Sequence, residues 1–235
     1  MKSKEWLNSS AGAFVIAIAL TVVVFIETIF SPSAPFFWVY AALAILIPVY
    51  AGMGKFSWKY LKFTFSDTWK IVILIFIGME IWDVGSNLGF QAWMESLGKG
   101  ADPNYSLQAA IPNLATVAAA RLGTTQNVTM GLYALFFIFW APVGEEFFYR
   151  GYLQKNLAKK LSVSAAIIIM AAFFGLRHAI HFFYLWPNLP IGPMMFWTVN
   201  AAVWGVFMGI LYKETRSVSI CIGAHFISNI IIFFI

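Results

Sequence analysis

Seven apolar runs dominate the pattern along the chain, and all but one of the segments between them are short. Each run is close to the roughly 20 residues that an α-helix needs to cross the hydrocarbon core of a bilayer. The runs cover residues 11–30, 36–53, 69–88, 128–148, 163–183, 193–212 and 218–235. The pattern therefore predicts an all-α polytopic membrane protein of about seven transmembrane helices.

The connection at residues 96–127 is the least regular part of the pattern. It contains Gly98, Gly100, Pro103 and Pro112, and its apolar stretch at 109–122 is short for a membrane span. We expect a helix on the outer face, or one that is partly inserted in the bilayer. If this segment crosses instead, the protein has eight transmembrane helices, and everything before the segment has the opposite orientation.

The composition supports an integral membrane protein and is not that of a soluble one. Apolar residues make up 61% of the 235 positions and charged residues 11%, which is far from the average soluble protein. We expect a single membrane domain over 1–235, with N-terminal helices and the outer connection in 1–127 and a core that carries the motifs below in 128–235. The only cysteine, Cys221, excludes an intrachain disulfide and a cysteine-rich zinc site.

The net charge of +5 comes from residues at the edges of the apolar runs, which is typical of orientation signals and not of a nucleic-acid site. Seven passes place all four basic clusters on one side. The clusters are Lys2 and Lys4; Lys55, Lys59, Lys62 and Lys70; Arg150, Lys155, Lys159 and Lys160; and Lys213 and Arg216. The positive-inside rule then predicts a cytoplasmic N-terminus and an outer C-terminus.

Two segments near these clusters have alternative interpretations. Residues 55–65 mix lysines with aromatic residues, as expected of a helix in the cytoplasmic interface, although a solvated loop is the alternative. The basic start before the first run could also begin a secretory signal. Because the run is longer than a signal core and no small-x-small site follows, we expect an uncleaved helix.

Ionisable and polar residues inside three of the runs form short patterns with helical spacing. Such groups cost several kcal/mol at membrane depth unless they are paired or hydrated, so they are functional candidates. The patterns are Glu145-Glu146-x-x-x-Arg150, Phe174-x-x-x-His178 and His225-x-x-x-Asn229.

The two adjacent glutamates have different helical neighbours. Residues four apart lie on one helix face, whereas adjacent residues diverge by about 100°. We therefore expect Arg150 to pair with Glu146, which is structural, while Glu145 faces a cavity. The alternative is an ion-pair network that only locks the helices together.

Helical rise tests whether the candidates lie at one depth. At about 1.5 Å per residue, Glu145 lies roughly 15 Å from Lys155, and His225 and Asn229 lie roughly 14 and 20 Å from Arg216. His178 lies roughly 27 Å from Lys160, or about 21 Å if its helix begins late. His178 is thus too deep unless its helix tilts or begins late.

Taken singly, a buried histidine is usually a hydrogen-bonded packing residue, and an asparagine in a membrane helix usually links helices. A carboxylate, two imidazoles and a carboxamide on the fourth, fifth and seventh helices together supply a base and several donors. Water attack on an amide needs this set of groups.

With these motifs the chain resembles the CPBP family of intramembrane proteases, which includes the CAAX prenyl endopeptidases and the bacterial Abi proteins linked to bacteriocin self-immunity. The resemblance rests on Glu145 to Gly151 (EEFFYRG), Phe174 to His178 (FGLRH) and His225 to Asn229 (HFISN), in that order. It covers roughly the C-terminal half, and no family signal is found in the N-terminal half.

The resemblance implies that Glu145, His178, His225 and Asn229 are catalytic, with Glu146 and Arg150 structural at the site. It implies an endopeptidase that acts on a peptide or membrane-tethered substrate. In this hypothesis Glu145, helped by His178, takes a proton from the attacking water, while His225 and Asn229 stabilise the oxyanion. We expect a bacterial or archaeal cell membrane as its location.

Metal dependence stays open at this point. Glu145, His178 and His225 could hold zinc with water as a fourth ligand. The family has been described both as metalloproteases and as metal-free glutamate proteases, and the chain has no His-Glu-x-x-His pair. We favour the metal-free glutamate protease without a cofactor.

Other ionisable residues lie outside the three motifs. Glu80 and Asp83 lie three apart in the third run, and we expect a structural salt bridge to Arg177, or else a hydrated substrate entrance. Glu27 is expected to end the first pass at the outer surface, and His181 to be interfacial.

Two functions of other classes compete with the endopeptidase. One is a noncatalytic bacteriocin-immunity protein or peptide-binding scaffold, which would not need all four polar groups. The other is a proton-coupled transporter that uses the two glutamates, for which matching halves with broken helices are expected but not evident.

Overall fold

The computed structural model describes residues 2–30, 38–53, 69–98, 107–181 and 191–234, which form helices and short turns without a strand. Nine helices follow one another within these ranges. They are α1 (Lys2–Leu7), α2 (Ser10–Phe30), α3 (Trp38–Pro48, continued by a π-helical turn at Val49–Met53), α4 (Trp69–Ser96), α5 (Leu107–Leu122), α6 (Gln126–Leu157, with π-helical segments at Phe136–Trp140 and Glu146–Gln154), α7 (Val163–His178, followed by a 3₁₀ turn at Ala179–His181), α8 (Ile191–Thr215) and α9 (Val218–Phe234).

Length and surface chemistry identify an integral membrane protein. Four helices, α2, α4, α6 and α8, are long and apolar enough to cross a bilayer, and three shorter apolar helices lie at Trp38–Gly52, Val163–His178 and Val218–Ile231. Large apolar side chains point outward, and Ile29, Leu74 and Ile81 are each 68% exposed. Water would not favour such a surface, whereas lipid does. The all-α membrane class is confirmed, while the count of seven passes stays a prediction.

Contacts between helices place the basic residues at one end of the bundle. Ser10 Oγ donates to Asn156 O at 2.6 Å, and Lys159 Nζ donates to Asn8 O at 2.5 Å, so α2 begins where α6 ends. Two hydrogen bonds join α6 to α8: Arg150 Nη2 donates to Gly205 O, and Gln154 Nε2 donates to Gly209 O. The donors are four residues apart on α6, and the acceptors are four residues apart, in the same order, on α8. Helices α6 and α8 therefore run parallel and end together, near Lys155 and Lys213.

Helices α4 and α7 run opposite to α8. Gly78 lies beside Phe207 and Gly89 beside Phe196, which places Lys70, at the start of α4, near the end of α8. The predicted grouping of basic residues on one side therefore agrees with the described part of each cluster. We refer to this end of the bundle as the basic end.

A close crossing joins α7 to α8. A Cβ atom on Gly175 would lie 2.6 Å from Thr198 O and 2.8 Å from Ala202 Cβ, and one on Gly205 would lie 3.3 Å from Ala171 Cα. Small residues let membrane helices approach at backbone distance. This crossing fixes the position of the end of α7, which carries Arg177 and His178.

The predicted boundaries need several corrections. The third predicted helix (α4) extends to Ser96 and the fourth (α6) to Leu157, because both continue as helix through the more polar residues that follow their most apolar parts. The connection at 96–127 contains α5, which forms a hairpin with α6. The expected interfacial helix at 55–65 lies outside the described residues, as does the side chain of His181.

The prediction for Glu27 was wrong. Glu27 is buried, and its two carboxylate oxygens accept hydrogen bonds from the backbone N–H groups of Val39 and Tyr40, both at 3.1 Å. These N–H groups lie in the first turn of α3 and have no partner within the helix. The carboxylate therefore caps α3 and faces the positive end of its dipole, which compensates for its burial.

Candidate active site

The predicted catalytic residues line one cavity of about 140 Å³. Glu145 comes from α6, His178 from α7, and His225 and Asn229 from α9. The walls between them are mostly aromatic, and include Tyr133, Phe136, Phe137, Phe174, Trp197 and Trp204. The cavity has room for several water molecules and has polar groups to bind them.

Helix direction explains how His178 reaches the depth of Glu145. Helix α7 begins late, at Val163, where the Ser162 hydroxyl accepts from the N–H of Ala165 at 3.2 Å. Helical side chains lean towards the N-terminus of their own helix. Those at the end of α7 lean towards the basic end, while Glu145, on a helix of opposite direction, leans away from it. The two sets of side chains therefore approach each other.

Glu146 accepts hydrogen bonds from two other site residues. Its Oε1 atom lies 2.9 Å from Nη1 of Arg150 and 2.8 Å from Nδ1 of His225. The pairing with Arg150 follows the predicted i, i+4 spacing, whereas the contact with His225 joins α6 to α9. Because a carboxylate only accepts, Nδ1 of His225 carries the proton, and Nε2 is the nitrogen available to a ligand in the cavity.

Arg150 is fully buried and surrounded by groups that compensate for its charge. Besides Glu146, its guanidinium contacts Gly205 O at 3.3 Å and lies 4.9 and 5.7 Å from the ring centres of Phe174 and Trp204. Removing one member of a buried ion pair is strongly destabilising, because the other charge remains without compensation. Glu146 and Arg150 therefore hold α6, α8 and α9 together around the cavity.

Asn229 is positioned by a break in the hydrogen bonding of α6. In the π-helical turn Phe136–Trp140, Ala141 N–H bonds to Phe136 O. The next residue is Pro142, which has no N–H for Phe137 O. Asn229 Nδ2 donates to that carbonyl oxygen at 2.8 Å. One amide hydrogen thus anchors Asn229 to α6, and the second remains available for the cavity.

Arg177, which sequence reasoning did not assign to the site, links two of its members. Its Nη2 lies 2.7 Å from Oε1 of Glu145, and its Nη1 lies 3.1 Å from Nε2 of His178. The signal in the sequence was its position inside the Phe174 to His178 motif. Adjacent residues of a helix diverge by about 100°, but a side chain as long as arginine reaches the cavity from the neighbouring face.

The expected salt bridge from Arg177 to Glu80 or Asp83 was therefore wrong. Glu80 instead accepts a hydrogen bond from the hydroxyl of Ser228, and Asp83 lines the cavity. Arg177 lies closer to a carboxylate on α6 than to those on α4. The position of Asp83 fits the alternative interpretation, in which α4 contributes to a hydrated entrance.

The donor atoms do not fit the zinc set that the sequence allowed. Among the described residues, no three His, Cys, Asp or Glu side chains are grouped so that they could hold a metal ion. Both ring nitrogens of His178 already have partners, Phe174 O at 2.8 Å and Arg177. A cation at Glu145 and His178 would also have to displace the Arg177 guanidinium, which carries the same charge sign.

Comparison with known proteins agrees with the motifs. Residues 127–231 match the family described as type II CAAX prenyl endopeptidase Rce1-like. The matched region contains all three motifs and the four cavity residues above. No curated protein and no solved structure is significantly similar to the chain. The resemblance to the CPBP family is thereby confirmed over this region, and it supports a membrane endopeptidase.

Proposed function

We propose that the protein is an intramembrane endopeptidase that hydrolyses a peptide bond of a peptide or membrane-tethered substrate. One observation carries the proposal: Glu145, His178, His225 and Asn229, from three separate helices, line the same cavity. The family description, a CAAX prenyl endopeptidase, supports a substrate that is held at the membrane.

In the proposed reaction, Glu145 is the general base. Its Oε1 accepts from Arg177, so we assign the water proton to Oε2. The water oxygen bonds to the scissile carbonyl carbon, and His178, which is linked to Glu145 through Arg177, assists Glu145 in this step. The proton then passes from Glu145 to the leaving nitrogen, the C–N bond breaks, and an amine and a carboxylic acid are released.

His225 and Asn229 are proposed to stabilise the oxyanion. Because Nδ1–H of His225 is donated to Glu146, only a doubly protonated ring can donate from Nε2, and the proposed role requires that form of the ring. Asn229 offers the amide hydrogen that Phe137 O does not use. Donors of this kind contribute about 3 to 4 kcal/mol each to transition-state stabilisation.

We further infer that the chemistry needs no metal. The Arg177 guanidinium supports this inference because it occupies the side of Glu145 and His178 where a zinc ion would bind. An arginine beside the base also supplies the positive charge that a metal would otherwise provide.

We infer a single domain of seven membrane passes with the basic end in the cytoplasm of a bacterial or archaeal cell. The grouping of Lys4, Lys70, Lys155 and Lys213 at that end supports this orientation, since cytoplasmic loops are enriched in such residues. An even number of passes would instead place the two chain ends on the same side.

The endopeptidase proposal is tested by comparing the peptides in membranes that contain the wild type, Glu145→Gln or Glu95→Gln. Glu95 is exposed near the end of α4, which makes Glu95→Gln a matched control. A fragment produced by the wild type and the control, but not by Glu145→Gln, is expected. Identical fragments from all three proteins would reject the proposal and favour the noncatalytic immunity or scaffold function.

A further inference from the structure

The Arg177 guanidinium connects the proposed base to the histidine that assists it. One terminal nitrogen contacts Glu145 Oε1 at 2.7 Å and the other contacts His178 Nε2 at 3.1 Å. Arg177 is 6% exposed, so water screens these contacts little. Arginine presents its donors in a rigid planar fork, whereas lysine offers a single point charge. The two site residues are therefore held at a spacing that the guanidinium sets.

These contacts also determine which nitrogen of His178 carries the proton. Nδ1 lies 2.8 Å from Phe174 O, an acceptor, so Nδ1 must donate. Arg177 is a donor only, so Nε2 must accept. His178 is thus held as the neutral tautomer with the proton on Nδ1. Protonation of Nε2 would break its contact with Arg177 and place two positive charges side by side.

Arg177 is itself held by residues of other helices. Its guanidinium carbon lies 5.2 Å from the centre of the Tyr40 ring, on α3, which is within the range of a cation–π contact. The Tyr40 hydroxyl is hydrogen-bonded to the Tyr149 hydroxyl, on α6, at 3.2 Å. The position of the guanidinium is thus fixed by contacts with two other helices, α3 and α6, and it does not depend on Glu145 alone.

We propose that Arg177 is a positioning residue, which holds Glu145 and His178 in the geometry for water attack and keeps His178 in its neutral Nδ1–H tautomer. This inference rests on the proposed function, because it assigns Arg177 a role at the same site. Arg177 acts through its two partners and does not bind the substrate. Its loss is therefore expected to lower kcat and to leave KM nearly unchanged.

The kinetic test uses a synthetic peptide that spans the cleavage site found in wild-type membranes. Arg177→Lys keeps the charge but cannot contact both partners, and we expect kcat to fall about 10-fold. Arg177→Met is expected to lower it about 100-fold, as for other losses of alignment at an active site. Arg121→Lys, on α5 and outside the cavity, is the matched control. An unchanged kcat in Arg177→Lys, or an effect on KM alone, would overturn the proposal.

Two further measurements separate positioning from general structural damage. In a His178→Ala background, the decrease in log kcat caused by Arg177→Lys is expected to be less than half of the decrease that the same substitution causes in the wild-type background. The reason is that the contact with His178, which lysine loses, is already absent. Addition of guanidinium chloride to Arg177→Ala is expected to restore part of the activity by refilling the site. Full additivity of the two substitutions would contradict a shared role.

A spectroscopic readout does not depend on catalysis. Nitrogen-15 NMR of the reconstituted protein, with histidine labelled, reports the protonated ring nitrogen of each of the three histidines. The signal that His178→Ala removes is expected to show Nδ1 protonated in the wild type and a mixture of tautomers in Arg177→Met. An unchanged signal would reject the tautomer role. If Glu145→Gln retains activity the proposed function fails, while this spectrum still tests the contact between Arg177 and His178.

Discussion

His225 Nδ1 lies 2.8 Å from Oε1 of Glu146, the same oxygen atom that accepts from Arg150 at 2.9 Å. The second glutamate of the pair thus orients an imidazole of α9, while the first meets Arg177 of α7. Adjacent positions on α6 diverge by about 100°, so one dipeptide serves two different helices. Each carboxylate is paired with an arginine, and the four charges compensate one another inside the membrane.

Glu146→Gln is expected to lower kcat about 100-fold, with a small change in KM. The substitution removes the negative charge that lies against Nδ1–H of His225, and it leaves Arg150 without its charged partner. Kinetics on the wild-type cleavage-site peptide measure the effect. Glu214→Gln is the control, because the partner of Glu214 among the described residues is the exposed Lys213, at the basic end. Equal rates for the wild type and Glu146→Gln would contradict the assignment of His225 to the oxyanion.

Asn229→Ala is expected to have two separable effects. Loss of an oxyanion donor lowers kcat about 100-fold or more. Loss of the bond to Phe137 O leaves a partly buried carbonyl oxygen without this donor and lowers the free energy of unfolding by about 1 kcal/mol. Thermal unfolding in detergent measures the second effect.

The exposed Asn127, at the start of α6, provides the matched control variant Asn127→Ala. A destabilised Asn229→Ala variant with wild-type kcat would show that Asn229 only links α9 to α6, as an ordinary packing residue does.

Gly175→Ala is expected to destabilise the protein and to impair catalysis together. The new Cβ atom would lie 2.6 Å from Thr198 O, so α7 must move away from α8 and carry Arg177 and His178 with it. Overpacking of this kind costs about 1 to 3 kcal/mol. Thermal stability and kcat measured on the same preparation test the coupling.

Gly223→Ala, on α9, is the control, because among the described residues no atom outside the nearby backbone of that helix lies within 4 Å of the new Cβ position. Alanine is also the better helix former, so stability should be retained or slightly raised. A tolerated Gly175→Ala would mean that the crossing of α7 and α8 can open without cost to the site.

Chelation is expected to leave activity unchanged. Arg177 already contacts the side chains of Glu145 and His178 that would bind zinc. We therefore expect purified active protein to contain much less than one zinc ion per chain. Elemental analysis and incubation with a zinc chelator check this expectation. One tightly bound zinc per chain, whose removal abolishes cleavage and whose return restores it, would establish the zinc-dependent alternative.

The sequence predicted those features that depend on local spacing. Apolar runs of about 20 residues predicted membrane helices, and α2 begins within one residue of its predicted start. The i, i+4 spacing predicted the pair of Glu146 and Arg150 and the separate direction of Glu145. The alternation of basic clusters predicted their common end. Each of these predictions depends on positions within one helix, or on nothing more than the number of helices between two clusters.

Tertiary structure decided which residues of different helices meet. The sequence shows acidic residues on α2, α4 and α6 and an arginine on α7. It does not show how each helix is rotated about its own axis. Only the structure shows that Arg177 pairs with Glu145 and not with Glu80. It also shows that Glu27 caps α3 and is not at the surface. Helix rotation and crossing are set by the packing of many side chains, such as the contact of Gly175 with Ala202. Spacing along one helix thus fixed the chemical groups that are present, and packing between helices fixed their partners.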